Sequence, residues 1–331
     1  MLFSILIPVY NAEKNIEETV RSILTQTEQD FEIILLDDGS TDNSKAVCTQ
    51  LSEQNPNKVR LCSQINTGVL IARRNLAKLS KGKYLLFVDS DDLLAKNALA
   101  DIRRSIEQTD SDVVFFDLQK LADNGDERYT LPLDEGLYFN EIRVSFLKQL
   151  LLTKYSYGIC QKVFKRGCFD FNADYERFRG MRIAEDVFQS FPIMDKAQSI
   201  YYLKKPLYVY RKNSGGATAT VKLSDFHWCE VLYERQDEYI AKWEISAEDV
   251  QTVAEGRVRR MLGFLSVYAK QNGKNTYRQF KEFAKALTSN KLFCDARSKS
   301  SSKKLQKIYR MDLALLKLHW YRALYILHRS I

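Results

Sequence analysis

Four short apolar runs alternate with amphipathic ones through the first hundred residues. Phe3-Ser4-Ile5-Leu6-Ile7-Pro8-Val9, Phe31-Glu32-Ile33-Ile34-Leu35-Leu36, Val59-Arg60-Leu61-Cys62 and Tyr84-Leu85-Leu86-Phe87-Val88 read as strands, the first halted by proline. Near-continuous apolar runs mark strands buried on both faces. Between them, residues 13–25 place Ile16, Val20, Ile23 and Leu24 on one helical face, and 43–54, 69–79 and 93–107 also read as helices. Strands alternating with helices predict right-handed βαβ units and a mostly parallel sheet. After Thr220 the strand signal stops, and helical segments over 226–243, 247–271, 276–287 and 303–331 predict an all-helical C-terminal region. The expected organisation is an α/β domain over residues 1–220, followed by the helical region over 221–331.

Three of the strands end in polar loops, at residues 8–11, 37–40 and 89–92. Carboxyl ends of parallel strands lie together, so these loops should line one crevice. The last of them, Asp89-Ser90-Asp91-Asp92, turns an apolar strand into a cluster of three carboxylates. An Asp-x-Asp pair suits a divalent cation that keeps its other positions for water and phosphate oxygens. The same residues also suit a solvated turn in which Asp91 or Asp92 caps the following helix. Asp37 and Asp42 read as turn residues. Further on, Glu185-Asp186 precedes an apolar helical stretch through Met194, where an acidic pair complements a helix N-terminus. Residues 208–220 run from a strand through Arg211 and Lys212 into a Gly-Gly loop rich in hydroxyls, which suits either a lid over phosphate or a linker.

Absent patterns narrow the chemistry. No Gly-x-Gly-x-x-Gly follows the first strand and no Gly-x-x-x-x-Gly-Lys-Ser/Thr occurs, which argues against a dinucleotide-binding domain and a P-loop enzyme. The six cysteines include no Cys-x-x-Cys pair, and there are only three histidines, so structural zinc and haem attachment are not expected. No run approaches the roughly 18 apolar residues of a membrane span. Residues 1–10 lack a basic leader and read as a strand, so reduced cysteines and a cytoplasmic location are expected.

Composition adds little until its distribution is considered. The chain has 331 residues, with 50 Lys and Arg against 42 Asp and Glu, a net +8. Between Arg297 and Arg329 nine Lys and Arg face the single Asp312, which equals that excess, so the rest of the chain is close to neutral. On a helix over 303–331, Tyr309, Leu313, Leu316, Trp320, Leu324, Leu327 and Ile331 fall on one apolar arc, with the basic residues beside and opposite it. Such a helix suits an anionic membrane surface, a homodimer seam or packing on its own domain, with residues 298–302 as a hinge. It lacks a zipper or fold signature for nucleic acid, which is not an expected partner.

Taken in order, four blocks carry a family resemblance. Ser4-Ile5-Leu6-Ile7-Pro8-Val9-Tyr10-Asn11, Ile34-Leu35-Leu36-Asp37-Asp38-Gly39-Ser40-Thr41-Asp42, Asn66-Thr67-Gly68 with Ala72-Arg73-Arg74-Asn75, and Lys81-Gly82-Lys83-Tyr84 leading into Asp89-Ser90-Asp91-Asp92 resemble the blocks of family 2 glycosyltransferases. The resemblance implies a GT-A fold, Rossmann-like with a mostly parallel central sheet, split into a nucleotide-binding half (1–95) and an acceptor-side half (96–220). It also implies an inverting enzyme that uses a manganese or magnesium ion (Mn2+ or Mg2+). Pro8, Val9, Tyr10 and Asn11 would frame the base, Asp38 would accept from the uracil ring, and Asp89 would touch the ribose. Ser90 and Gly68 would line the donor site, Asp91 would bind the metal, and Arg211 would reach the diphosphate. Asp92 would be a second ligand or a helix cap. The tandem Arg73-Arg74 departs from the family pattern and leaves open which arginine faces the diphosphate. Asp186 would be the base, with Glu185 as its substitute. The implied substrates are a UDP-sugar donor and a glycan or lipid-linked acceptor, as for bacterial cell-surface relatives, with the enzyme at the inner face of the membrane if the tail binds there. A catalytically degenerate binding module and a sugar nucleotidyltransferase are the alternative readings. The second would want a glycine-rich basic loop after the first strand, which residues 8–15 do not supply.

Overall fold

The computed structural model describes residues 1–121, 125–152, 158–181, 184–211, 220–271, 276–301 and 304–330. They fall into two compact units, one of residues 1–181 with 185–213, the other of 182–184 with 214–331.

The first unit opens with β1 (Phe3–Val9), α1 (Ile16–Leu24), β2 (Phe31–Asp37), α2 (Ser44–Gln54), β3 (Val59–Ser63), α3 (Val69–Leu79) and β4 (Tyr84–Phe87). Their sheet order is β3-β2-β1-β4, every pairing parallel, with Val9 opposite Asp37 and Leu6 opposite Phe87. Ile5, Leu6, Ile7, Ile33, Ile34, Leu35 and Leu85 through Val88 have no solvent exposure, which accounts for the unbroken apolar runs. The register brings the ends of β1, β2 and β4 to one edge.

The sheet then continues through β5 (Leu93–Leu94), α4 (Ala98–Thr109), β6 (Val113–Lys120), β7 (Glu127–Tyr129), β8 (Gly136–Phe139), α5 (Asn140–Leu152), β9 (Lys162–Lys165), α6 (Val187–Lys196) and β10 (Ser199–Tyr210). Antiparallel β9 joins β4 to β6, and β6 pairs in parallel with β10. The expected helix over 93–107 is corrected here. Leu93 and Leu94 pair with Val209 and Tyr208, and the helix starts only at Ala98 with Asn97 at its N-cap, so neither Asp91 nor Asp92 is a helix cap. A two-residue strand wins because it fills the edge of β10 beside the acidic turn, a partner more than a hundred residues away.

Where the β4 lead-in crosses β1, packing leaves no room for a side chain. A Cβ on Gly82 would lie 2.5 Å from the Ser4 backbone nitrogen and 2.7 Å from the Phe3 carbonyl carbon. Backbone cannot yield as a side-chain tip does, so Gly82→Ala should destabilise the first unit by about 2 kcal/mol or more. A denaturant midpoint equal to the parent's would refute this.

The second unit contains α7 (Asp225–Lys242), α8 (Ala247–Lys270), α9 (Tyr277–Ser289), α10 (Lys291–Lys299), α11 (Lys307–Lys317) and α12 (Tyr321–Ser330). Its core includes Leu262, Leu265, Phe280, Phe283, Leu287 and Leu324, all without exposure, with Phe283 stacked on Tyr268 at 4.1 Å between ring centres. The single helix expected over 303–331 is two helices. His319 takes a left-handed φ of 56°, its N–H donates to Leu316 O (3.1 Å), and the Trp320 N–H donates to Leu315 O (2.9 Å). These paired bonds form a Schellman stop without the usual glycine. Leu313, Leu316 and Leu324 of the expected apolar arc are buried, whereas Trp320 is 58% exposed. Residues 303 and 331 of that arc and tail lie outside the described residues.

Candidate active site

The loops after β1 and β2 hold each other. Asn11 takes a left-handed φ of 51°, its Oδ1 accepts from the Thr41 N–H (2.8 Å), and its own N–H donates to Ser40 Oγ (3.1 Å). The Asp38 N–H donates to Val9 O (2.8 Å). Val9 itself has no exposure, so its side chain belongs to the core and any contribution to the donor site comes from its backbone. Pro8 is half-buried at the strand end, while Tyr10 is 51% exposed.

Asp38 organises the next loop. Its Oδ1 accepts from Gln64 Nε2 (2.7 Å), the Thr67 N–H (2.9 Å) and Thr67 Oγ1 (3.2 Å), and its Oδ2 accepts from the Gly68 N–H (2.9 Å). Each carboxylate oxygen offers about two acceptor positions, and Oδ2, unlike the crowded Oδ1, takes only one donor here. Gly68 has a φ of +88° that lets this N–H turn back to Asp38 at the start of α3. Gly39 is held more tightly, with a φ of +72° and a virtual Cβ 2.8 Å from the Asn66 nitrogen.

On α3 the two tandem arginines part company, since successive helical residues point about 100° apart. Arg74 Nη1 donates to Ala173 O (2.9 Å). Arg73 is only 2% exposed, and its guanidinium forks between Asp186 Oδ1 (2.5 Å) and Asp89 Oδ1 (2.9 Å), whose side chains keep 24% and 37% exposure. The structure thus brings Asp89, Arg73 and Asp186 together from three parts of the chain. Burial opposes the Arg73 charge, but Asp186 and Asp89 outweigh it and hold the guanidinium protonated. Asp186 occupies the N-cap position of α6, yet its side chain makes no cap bond. Its Oδ2 accepts weakly from the Ile159 N–H at 3.4 Å. The carboxyl is therefore aimed at Arg73 and not at the helix end.

The acidic turn is anchored from β10. Asp92 is 1% exposed; its Oδ2 accepts from Tyr208 OH (2.7 Å) and its Oδ1 from the Arg211 N–H (2.9 Å). Tyr208 OH also accepts from the Asp89 N–H (3.1 Å). Asp92 is thus a buried strut with both oxygens engaged, and of its two expected roles, second ligand or helix cap, the cap is ruled out. Thr19 Oγ1 donates to Ser90 O (3.0 Å). Arg211 binds Glu18 through Nη1, Asp91 O through Nε (2.5 Å), and Asn15 O and Thr19 Oγ1 through Nη2 (3.4 and 3.3 Å). Its donors are thus engaged with the acidic turn and α1. The Gly-Gly loop, residues 212–219, lies outside the described residues.

Negative charge is crowded here. Burial, then the charges of Asp186 and Asp91, raises Asp89 despite Arg73; burial and Asp89 push Asp92 up to about 8; burial and Asp186 push Glu185 up to about 7. Sequence reasoning did not single out Tyr208, Gln64 or Lys162. Lys162 is fully buried, donates to Gly158 O and to Ser190 Oγ (2.8 Å), and burial lowers it to about 7. No local spacing marks any of the three, because each partner is distant in sequence or supplied by backbone.

Comparison with known proteins places this geometry. The family model described as glycosyl transferase family 2 matches residues 4–167. The chain is 27% identical over 260 residues to the glycosyltransferase GlyG of Streptococcus pneumoniae serotype 4, covering 76% of this chain and 84% of GlyG. It is 39% identical over 128 residues to the poly(ribitol-phosphate) beta-glucosyltransferase of Bacillus spizizenii, which is 38% of this chain but only 20% of that protein. Among solved structures, residues 1–349 of TarS from S. aureus in complex with UDP-GlcNAc superpose with a TM-score of 0.62 at 21% identity, covering 100% of this chain and 92% of that one. At that identity the likeness shows a common fold, here of the GT-A type. Residues 4–167, just under half of the chain, thus match glycosyl transferase family 2, and the GlyG match runs further along it.

Proposed function

We propose that this protein catalyses inverting transfer of a sugar from a UDP-sugar to a hydroxyl of a cell-surface glycan or lipid-linked precursor. The observation that supports the reading is the Arg73 fork, which puts the candidate base Asp186 beside Asp89 at the acidic strand end. The relatives supply the substrate classes: TarS binds UDP-GlcNAc in its solved complex, and the Bacillus spizizenii relative is named for transfer to poly(ribitol-phosphate). Among the described residues no helix is long and apolar enough to cross a membrane. Work on the cytoplasmic side, where nucleotide sugars are made, is part of the proposal.

In this reading Tyr10 and Asn11 frame the uracil, and Asp38 Oδ2 accepts from its N3–H. Asp89, fixed by Arg73, accepts from the ribose. The acceptor hydroxyl gives its proton to Asp186 as its oxygen bonds to the anomeric carbon, and the bond from that carbon to the UDP oxygen breaks on the opposite face. Arg73 holds the Asp186 carboxylate in one orientation, so the base needs no reorganisation when the acceptor arrives.

A divalent cation fits the residues present. They offer hard oxygen donors crowded enough to raise one another, which a cation would relieve. Among the described residues no three His, Cys, Asp or Glu side chains form a closed metal cage. That combination suits Mn2+ or Mg2+, which take one or two carboxylates and complete their shell with phosphate oxygens and water. Asp91 is the proposed protein ligand. When bound, the ion would stabilise charge on the departing diphosphate.

Calorimetric titration of UDP with Mn2+ and with chelator tests the donor site, with GDP and CDP as competitors. Metal-dependent preference for UDP is expected. Asp91→Ala should weaken UDP binding in Mn2+ about tenfold or more and leave the chelator titration unchanged. Undiminished Mn2+ dependence in that variant would remove Asp91 as the ligand. Binding without donor turnover would favour a degenerate module, and formation of UDP-sugar from UTP and sugar phosphate would favour a nucleotidyltransferase.

A further inference from the structure

The apolar arc that the sequence offers to a membrane is spent inside the second unit. Leu313, Leu316, Tyr321 and Leu324 are buried. The opposite faces of α11 and α12 remain exposed, and they are neither bland nor evenly polar. Along α11, Lys307, Arg310 and Lys317 recur at helical spacing, with Met311 next to Arg310 and Leu318 just past Lys317 at the C-cap; along α12, Ile326 lies between Arg322 and Arg329. Leu318, Trp320 and Ile326 keep 56%, 58% and 58% exposure, and Met311 keeps 39%. The one carboxylate in residues 304–330, Asp312, has no exposure and bonds His328 Nε2 at 3.0 Å, so the outward charge of this segment is wholly positive. The patch extends to α9, where the half-exposed Tyr277 lies 5.9 Å from Tyr325, whose OH accepts from Arg329 Nη1 (3.0 Å).

We propose that this outward face of α11 and α12 docks on an anionic lipid surface. Large apolar side chains, one of them tryptophan, flanked by long cations match an acyl boundary beneath acidic headgroups, because Lys and Arg stems lie along apolar surface while their heads reach the phosphates. The charge pattern selects this occupant. A symmetric self-contact would set the same unneutralised cations against each other. A nucleic-acid backbone would answer the cations and leave Met311, Leu318 and Ile326 without a counterpart. The bend at His319 exposes Leu318 and Trp320 at the junction of the two helices, so an apolar wedge stands at the join. The inference goes beyond sugar transfer and does not depend on it.

The test is sedimentation of the full chain with phosphatidylcholine vesicles, with and without phosphatidylglycerol, at low and high salt. Binding about tenfold or more tighter to the anionic vesicles is expected, falling with salt and accompanied by a blue shift of tryptophan emission. Lys317→Glu/Arg322→Glu should abolish that preference, and Leu318→Ser/Trp320→Ser should remove the blue shift and the salt-resistant fraction. Lys45→Glu/Lys78→Glu, an equal charge change at exposed positions of the first unit, should bind like the parent. Melting curves of all variants should match the parent's, since the four tail positions are exposed. No binding by the parent, or equal loss in the Lys45 and Lys78 variant, would overturn the proposal. So would a lipid-free dimer broken by the tail substitutions, or single-stranded DNA binding as tight as vesicle binding and lost with the same substitutions.

Discussion

Asp186→Asn should leave UDP binding within about twofold of the parent and lower sugar transfer about a thousandfold, the middle of the range for a lost general base. The amide is isosteric and can still accept from Arg73 through its oxygen, so the crevice should keep its shape. What it loses is the capacity to take up a proton at neutral pH. The separation of effects is the informative part, because donor binding needs no base and transfer does. Single-turnover transfer and UDP titration on the same preparation measure both. Transfer at the parental rate would move the base elsewhere, with Glu185 next in line. Loss of UDP binding in parallel would mean that Asp186 is structural.

Arg73→Lys should be nearly as damaging, for a different reason. One guanidinium reaches Asp186 and Asp89 through separate nitrogens. A lysine ammonium is a point charge on a flexible stem and cannot hold two carboxylates in that fork. Breaking a buried pair costs about 3–5 kcal/mol, and the lower end applies because both carboxylates keep some contact with solvent. Stability should therefore fall by about 3 kcal/mol in urea titration. Transfer should fall about a hundredfold, since the base would no longer be held in one orientation. Parental melting and parental transfer together would show that the fork holds nothing in place.

These two predictions rest on contacts with different legibility. The parallel strands β1, β2 and β4 could be read directly, because burial on both faces writes itself as an apolar run. That Arg73 and not Arg74 turns inward was nearly readable too: Leu70, Arg73 and Ala77 share a helical face that is buried, while Arg74 points aside. The helix-cap alternative for Asp92 failed for a physical reason. Its partners, Tyr208 and Arg211, are supplied by a strand that folds back from more than a hundred residues away, and no local pattern announces such a pairing. The break at His319 was hidden differently. Neither glycine nor proline marks it, and a left-handed histidine leaves the apolar periodicity intact on both sides.

The family-model match ends at residue 167, whereas Asp186, Tyr208 and Arg211, which hold the acidic turn and its arginine, come after it. The segment that the family model spans is therefore not mechanically complete by itself. A fragment cut where the shared segment stops would keep the parallel half of the sheet but release Asp92 from its tyrosine and Arg73 from one of its two acids. The smallest piece expected to retain an ordered donor crevice must run at least through Arg211, and two relatives that agree closely in the shared segment can still differ in how firmly their acidic turns are held.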